Sequence, residues 1–236
     1  MSVMPEPNDR PKGRLIIPML KSIVLGVAGL GLLLFLPAGT LNYWQAWVLI
    51  AVFVLGSNAI GIYLSRYDPE LLERRKQAGP KAETRPAQKI IISVLIAALV
   101  GMLVLSALDY RFGWSAVPAL VSLAGDVLVA LGIYITFLVV RENTFSGANI
   151  KVFKDQKVIS TGPYALVRHP MYIGTLLFTL AAPLALGSWW GFLPVLLVIP
   201  MLVWRIFDEE KLLNAELPGY ADYTRKVRYR LVPLGW

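Results

Sequence analysis

The chain has no cysteine, one histidine and few charges: 15 Asp+Glu and 23 Lys+Arg in 236 residues. Without cysteine, disulfide frameworks, cysteine-ligated metals and thiol nucleophiles are excluded, and no metal site is expected. Charged residues are 16% of the chain, well below the roughly 25% usual for a soluble domain. Hydrophobic residues reach 56%, and so apolar a chain cannot remain a solvated, disordered polymer. Internal repeats and low-complexity tracts are also missing. What the sequence has instead is long apolar blocks, without the alternation of half-buried elements, which is the pattern of helices surrounded by lipid.

The first block, Met19 to Leu36, carries only Lys21 near its start. At about 1.5 Å per residue its 18 residues reach about 27 Å, enough to cross a hydrocarbon core. Arg10, Lys12 and Arg14 precede it, as in a signal peptide, but a signal core is usually only about 7–15 residues; a retained helix is expected. Trp44–Leu64 is the second block, with Trp44 and Trp47 as interfacial anchors. Asp68 to Lys76 reads as a short polar surface helix, broken by Gly79-Pro80 and Pro86. Further blocks run over Ile90–Leu108 and Val117–Val140, then Pro170–Leu186 and Gly191–Phe207 as a hairpin. Pro183, Pro194 and Pro200 interrupt that last pair, which leaves a partly re-entrant hairpin open.

The expected architecture is therefore all-α: a polytopic membrane bundle of about six transmembrane helices. Residues 1–140 form an N-terminal set of about four spans, and 141–236 a second region. Charge tests this independently, because Lys and Arg concentrate on the cytoplasmic side. With both termini inside, the outer loops are 37–43, 109–116 and 187–190, and Arg111 is the one basic residue outside. The net charge of +8 then suits a face attracted to anionic lipid, and nucleic-acid binding is not expected.

Chemistry concentrates in Ser160-Thr-Gly-Pro-Tyr-Ala-Leu-Val-Arg-His-Pro-Met-Tyr-Ile-Gly174. Pro170 suits the first turn of a helix, so Arg168, His169 and free N–H groups gather at a helix start that accepts anions. The plainer reading has Arg168 reaching headgroups and His169 capping the helix. A second cluster, Arg205, Asp208, Glu209 and Glu210, lies where the last span ends. Arg205 and Glu209 share a helix face and could simply pair. Anion-binding groups beside carboxylates fit a zwitterion with an added cationic centre, such as S-adenosylmethionine, and Tyr164 and Tyr172 offer ring faces to a cation. The charge pattern permits that ligand without selecting it. Mid-span Asp126 costs roughly 2.5–3.5 kcal/mol to insert and is expected to face the bundle interior and pair with a polar group such as Tyr134 or Thr136 on its own or a neighbouring helix. It and Asn58 fit either a structural role or a substrate contact. Tyr220–Arg230 is expected to be an interfacial anchor or a lid.

From about Asn143 to Val232 the chain resembles the isoprenylcysteine carboxyl methyltransferases, integral-membrane enzymes related to the phospholipid N-methyltransferases. The resemblance rests on Gly162-Pro-Tyr-x-x-Val-Arg-His-Pro-Met-Tyr-x-Gly174, Arg205-x-x-x-Glu-Glu210 and Tyr220-x-x-Tyr-x-x-x-Val227. It implies an S-adenosylmethionine site built from Gln156, Lys157, Val158 and Ile159, the turn residue Tyr164, the stretch His169, Pro170, Met171 and Tyr172, and Glu209. Arg205 falls where that family binds its substrate. Two family positions differ: a histidine is replaced by Gln156, and an upstream glutamine by a residue at or near Phe153.

On this resemblance the expected reaction is methyl transfer to a hydrophobic acceptor that enters from the bilayer, with a carboxylate such as that of an isoprenylcysteine. Arg205 and Glu209 are the expected catalytic pair: Arg205 grips the carboxylate and Glu209 orients the cofactor. Catalysis would be mostly positioning and desolvation. The competing readings are an NADPH-dependent sterol-type reductase and a small transporter, whose sites usually lie near the midplane instead.

Overall fold

A computed structural model describes residues 13–233 and 235–236. The basic segment expected at 1–12 lies outside the described residues. Nine α-helices and one 3-10 turn are described: α1 (Gly13–Ala38), α2 (Trp44–Tyr67), α3 (Pro69–Lys76), α4 (Pro86–Phe112), α5 (Ala119–Glu142), α6 (Pro170–Ala185), α7 (Phe192–Val195), α8 (Val198–Glu216) and α9 (Tyr220–Lys226). The turn is Gly162–Ala165, in the loop between α5 and α6. α1, α2, α4 and α5 are long and apolar enough to cross a membrane.

Local signals account for most boundaries. Asp68 caps α3 by accepting a hydrogen bond from Leu71 N–H at 2.9 Å, and Pro69 supplies the first turn. α4 opens on Pro86, earlier than its apolar run, and stops at Gly113, whose φ of +65° suits a residue without Cβ. Pro170 opens α6 as its sequence position dictates.

The final apolar pair departs from two full spans. α6 has 16 residues, a length of about 24 Å. The segment expected as one helix over Gly191–Phe207 is interrupted at Leu196-Leu197 and then runs on to Glu216 as α8. Pro200 explains the break: it lacks an N–H, and its ring clashes with the carbonyl four residues earlier, at Leu196. Helical geometry resumes with Pro200 in the first turn of α8.

Small residues set the packing. A Cβ on Gly132 would lie 2.8 Å from the Gly174 carbonyl oxygen, and one on Gly125 only 2.4 Å from Ala185 N. α5 and α6 therefore touch backbone to backbone, as small residues allow between membrane helices. A core of Leu34, Tyr43, Ile50, Met102, Val129 and Leu186 fills the half of the bundle near the 39–43 and 186–191 loops. Leu20, Val24, Leu25, Leu32 and Leu36 of α1 stay exposed, as residues facing lipid do. At the other, basic end, arginines and glutamates are buried as ion pairs among the helix ends.

Asp126 is buried, and neither carboxylate oxygen has a hydrogen-bond partner among the described residues. The expected partners point elsewhere: Tyr134 is exposed, and Thr136 donates to the Gly132 carbonyl one turn back. Asn58 likewise turns inward on its own helix, with Nδ2 donating to the Val54 carbonyl at 2.8 Å.

Candidate functional site

At the basic end, the start of α6 and the exit of α8 meet. His169 precedes Pro170 as the N-cap residue of α6 and is buried. Its Nδ1 lies 3.7 Å from Glu209 Oε2, and its Nε2 3.2 Å from Glu210 Oε1. Tyr172, in the first turn of α6, donates its hydroxyl proton to Glu209 Oε2 at 2.6 Å and accepts from Arg205 Nε at 3.0 Å. His169, Tyr172, Arg205 and Glu209, all singled out in the sequence, thus share one cluster.

The two adjacent acids have different surroundings. Glu210 is saturated: Oε1 accepts from Arg168 Nε at 2.7 Å and contacts His169, and Oε2 accepts from Arg230 Nε at 2.9 Å. Burial pushes its carboxyl upward, but the bond and charge of His169, then Arg230 and Arg168, outweigh it and hold the pKa at about 2. Glu209 is half-buried, and its Oε1 makes no hydrogen bond among the described residues. Of the pair, Glu209 is the acid with an oxygen to offer a ligand.

Arg205 is committed elsewhere than expected. Instead of pairing with Glu209, its Nη1 donates to Glu83 Oε1 at 3.1 Å and Gln88 Oε1 at 2.7 Å, and its Nη2 to the Ala148 carbonyl at 3.2 Å. Glu83 is itself buried and accepts from Ile150 N–H. Arg85 and Gln88 both donate to Asp208. The segment before α4 is thereby tied to α8, an association with no local sequence signal, since the partners are more than a hundred residues apart.

The tail closes one side. Backbone N–H groups of Arg168 and His169 donate to the carbonyls of Tyr229 and Arg230 at 2.9 and 3.0 Å, and Arg168 Nη1 reaches the Val227 and Arg228 carbonyls. Tyr223 donates to the Tyr164 carbonyl at 2.8 Å. Leu217, Tyr220, Tyr223 and Val227 form a small core that also takes in Val158. The Gln156–Ile159 segment therefore rests on the tail, with Lys157 exposed and Gln156 Oε1 accepting from Phe153 N–H at 3.0 Å. Tyr164 is held by Asn143 Nδ2 at 2.9 Å, and burial pushes its hydroxyl up to about 12, so it stays protonated. Met171 packs in a separate cluster with Leu64, Leu71 and Val140.

Residues 120–217 match the family model of the phospholipid methyltransferases. The phospholipid methyltransferase match starts in α5 and ends just past α8, so it encloses His169, Tyr172, Arg205 and both acids while covering less than half of the chain. No curated protein matches the chain. Sequence reasoning passed over Glu210 as the buried hub, and over Glu83, Gln88 and Asn143. Only Glu210 carried a local cue, its place beside Glu209.

The Glu210 linkage gives a pH expectation. Its folded pKa lies below the ordinary 4.5, so its stabilisation is complete above that value and is lost as pH falls through about 2. A depression of this size corresponds to about 3 kcal/mol for the whole cluster of His169, Arg230 and Arg168 around Glu210, in which Arg230 is the tail's share. Val232→Cys would create the chain's one thiol on an exposed side chain. A nitroxide there should gain mobility between pH 4.5 and 2; unchanged mobility across that window counts against the linkage.

Proposed function

We propose that the chain is a membrane-embedded S-adenosylmethionine-dependent methyltransferase acting on a hydrophobic acceptor, with its basic end and active site on the cytoplasmic side. The observation that carries this reading is Glu209: inside the matched segment, held by Tyr172 and beside His169, it keeps Oε1 free.

The residues present fit the cofactor's polar groups. Glu209 Oε1 can accept from an ammonium or a ribose hydroxyl. Among the described residues, the Met171 N–H at the start of α6 has no protein acceptor outside its helix, and that helix end suits a carboxylate. Tyr164, the Gln156, Lys157, Val158 and Ile159 stretch, and His169 with Pro170 complete the walls. When bound, S-adenosylmethionine supplies an electrophilic methyl group on a sulfonium. The protein's own work is to orient and to keep water out: Glu210 locks His169, and the tail from Val227 to Leu231 covers one side. An acceptor that arrives as a carboxylate needs no base, which suits a site whose one imidazole is already bound to acids.

Arg205 enters this reading as a positioning residue. It holds Tyr172, and through it Glu209, while Glu83 already occupies the place an acceptor carboxylate would take. An isoprenylcysteine-like carboxylate remains the proposed acceptor class.

Thermal unfolding of the detergent-purified protein with S-adenosylhomocysteine and with NADP tests the proposal. Stabilisation of about 3 kcal/mol at a hundredfold excess over Kd by S-adenosylhomocysteine alone is expected. Stabilisation by NADP alone would overturn it.

A further inference from the structure

The bundle contains a second feature, separate from the cluster around Glu209. Between α2, α5 and α6 runs a groove of about 360 Å³, within the size range of ligand sites. Along α2 it extends from Phe53 to Leu64, about 16 Å at helical rise. Phe53 and Phe178 stack at 5.5 Å at the end away from α3. Gly61 leaves it open on the α2 side, the close Gly132–Gly174 contact of α5 with α6 lies on its wall, and Leu72 and Arg75 of α3 stand at the basic end. Thr175 on its wall lies one turn from Met171, so the mouth adjoins the start of α6.

Arg75 is the one charged residue of the lining. It spends a single hydrogen bond, Nη1 to the Ser146 carbonyl at 2.9 Å, and pairs with no carboxylate among the described residues. Neighbouring Arg74 differs: it is paired with Glu70, bonded to the Thr144 carbonyl and stacked 4.3 Å over Phe153. Burial lowers the Arg75 pKa, and the nearby Tyr164 opposes that only in part. A part-buried cation without a carboxylate partner among the described residues, at the end of a mostly apolar trough, is complementary to an anion carrying a hydrocarbon chain.

We propose that this groove binds an amphiphile with one anionic head, its chain along Phe53, Ile60, Ile133 and Phe178 and its head group on Arg75. The occupant's shared chemistry is a carboxylate or phosphate on a long apolar chain. Naming it as the methyl acceptor rests on the methyltransferase reading; the binding site itself does not.

The test uses radiolabelled palmitate, hexadecyl phosphate and uncharged hexadecanol with the full chain in neutral detergent. Arg75→Gln should weaken both anionic probes about tenfold, the loss expected for charge-assisted hydrogen bonds, and leave hexadecanol unchanged, while Arg75→Lys restores part of the loss. Gly61→Phe should block all three probes; a Cβ there meets no atom within 4 Å, so the ring fills the groove without displacing backbone. Tighter palmitate binding supports a carboxylate acceptor as occupant, and tighter hexadecyl phosphate a phospholipid head. Anionic probes indifferent to Arg75→Gln, or hexadecanol weakened equally, would overturn the proposal. S-adenosylhomocysteine binding, measured alongside, should survive Arg75→Gln. Its absence from the unaltered protein would sink the methyltransferase reading and leave the groove assignment intact.

Discussion

Glu209→Gln is expected to abolish methyl transfer while the protein inserts, folds and unfolds at its normal temperature. Glutamine preserves the length of the side chain, and its carbonyl can still accept the Tyr172 hydroxyl that now donates at 2.6 Å. What disappears is the negative charge and a second oxygen that no described residue uses. Charge-assisted hydrogen bonds contribute about 1.5–3 kcal/mol each, so affinity for S-adenosylhomocysteine should fall by about 10- to 100-fold. Isothermal titration of the purified variant reads this directly. Retention of full affinity would remove Glu209 from the cofactor site and leave it a support for Tyr172.

The neighbouring acid should behave in the opposite way. Glu210→Ala leaves Arg168, 8% exposed, without its carboxylate, and frees Arg230 and His169 from the same partner. Breaking a buried ion pair from one side costs about 3–5 kcal/mol. That is a large share of the roughly 5–15 kcal/mol that stabilises a typical domain. Hydrogen exchange should show the loss first in Val227–Leu231, because Arg168 holds the Val227 and Arg228 carbonyls. Cofactor affinity should drop only as far as the tail is released. If the tail stays protected in Glu210→Ala, Arg168 is satisfied by the carbonyls alone, and the hub assignment fails.

The difference between these two acids marks the limit of what could be read from the sequence. Pro170 announced the α6 start, and the spacing of Arg205 from Glu209 placed them on one helix face. The apolar blocks gave α1, α2, α4 and α5 to within a few residues, because a lipid-facing helix needs only length and composition. Partner choice was not legible. Arg205 and Glu209 share a face, yet Glu83 captures the guanidinium from another part of the chain. Glu209 and Glu210 look alike in sequence, and only the arrival of Arg168 and Arg230 from two other segments separates them. The α7–α8 interruption could be anticipated only as a possibility from its prolines, since a proline is equally at home in a first turn. The close approach of α5 to α6 depends on Gly125, Gly132 and Gly174 facing particular backbone atoms, which one-dimensional patterning does not specify.

Glu83 and Arg205 are separated by 122 positions, which has a consequence for biosynthesis. At about 5–20 residues per second, a ribosome needs on the order of ten seconds to deliver the guanidinium after the carboxylate has emerged. Throughout that interval Glu83 and Gln88, joined about midway by Ala148, must wait in water or among headgroups, so the helices already inserted cannot close over them. Final assembly of this end of the molecule therefore begins only when α8 comes free.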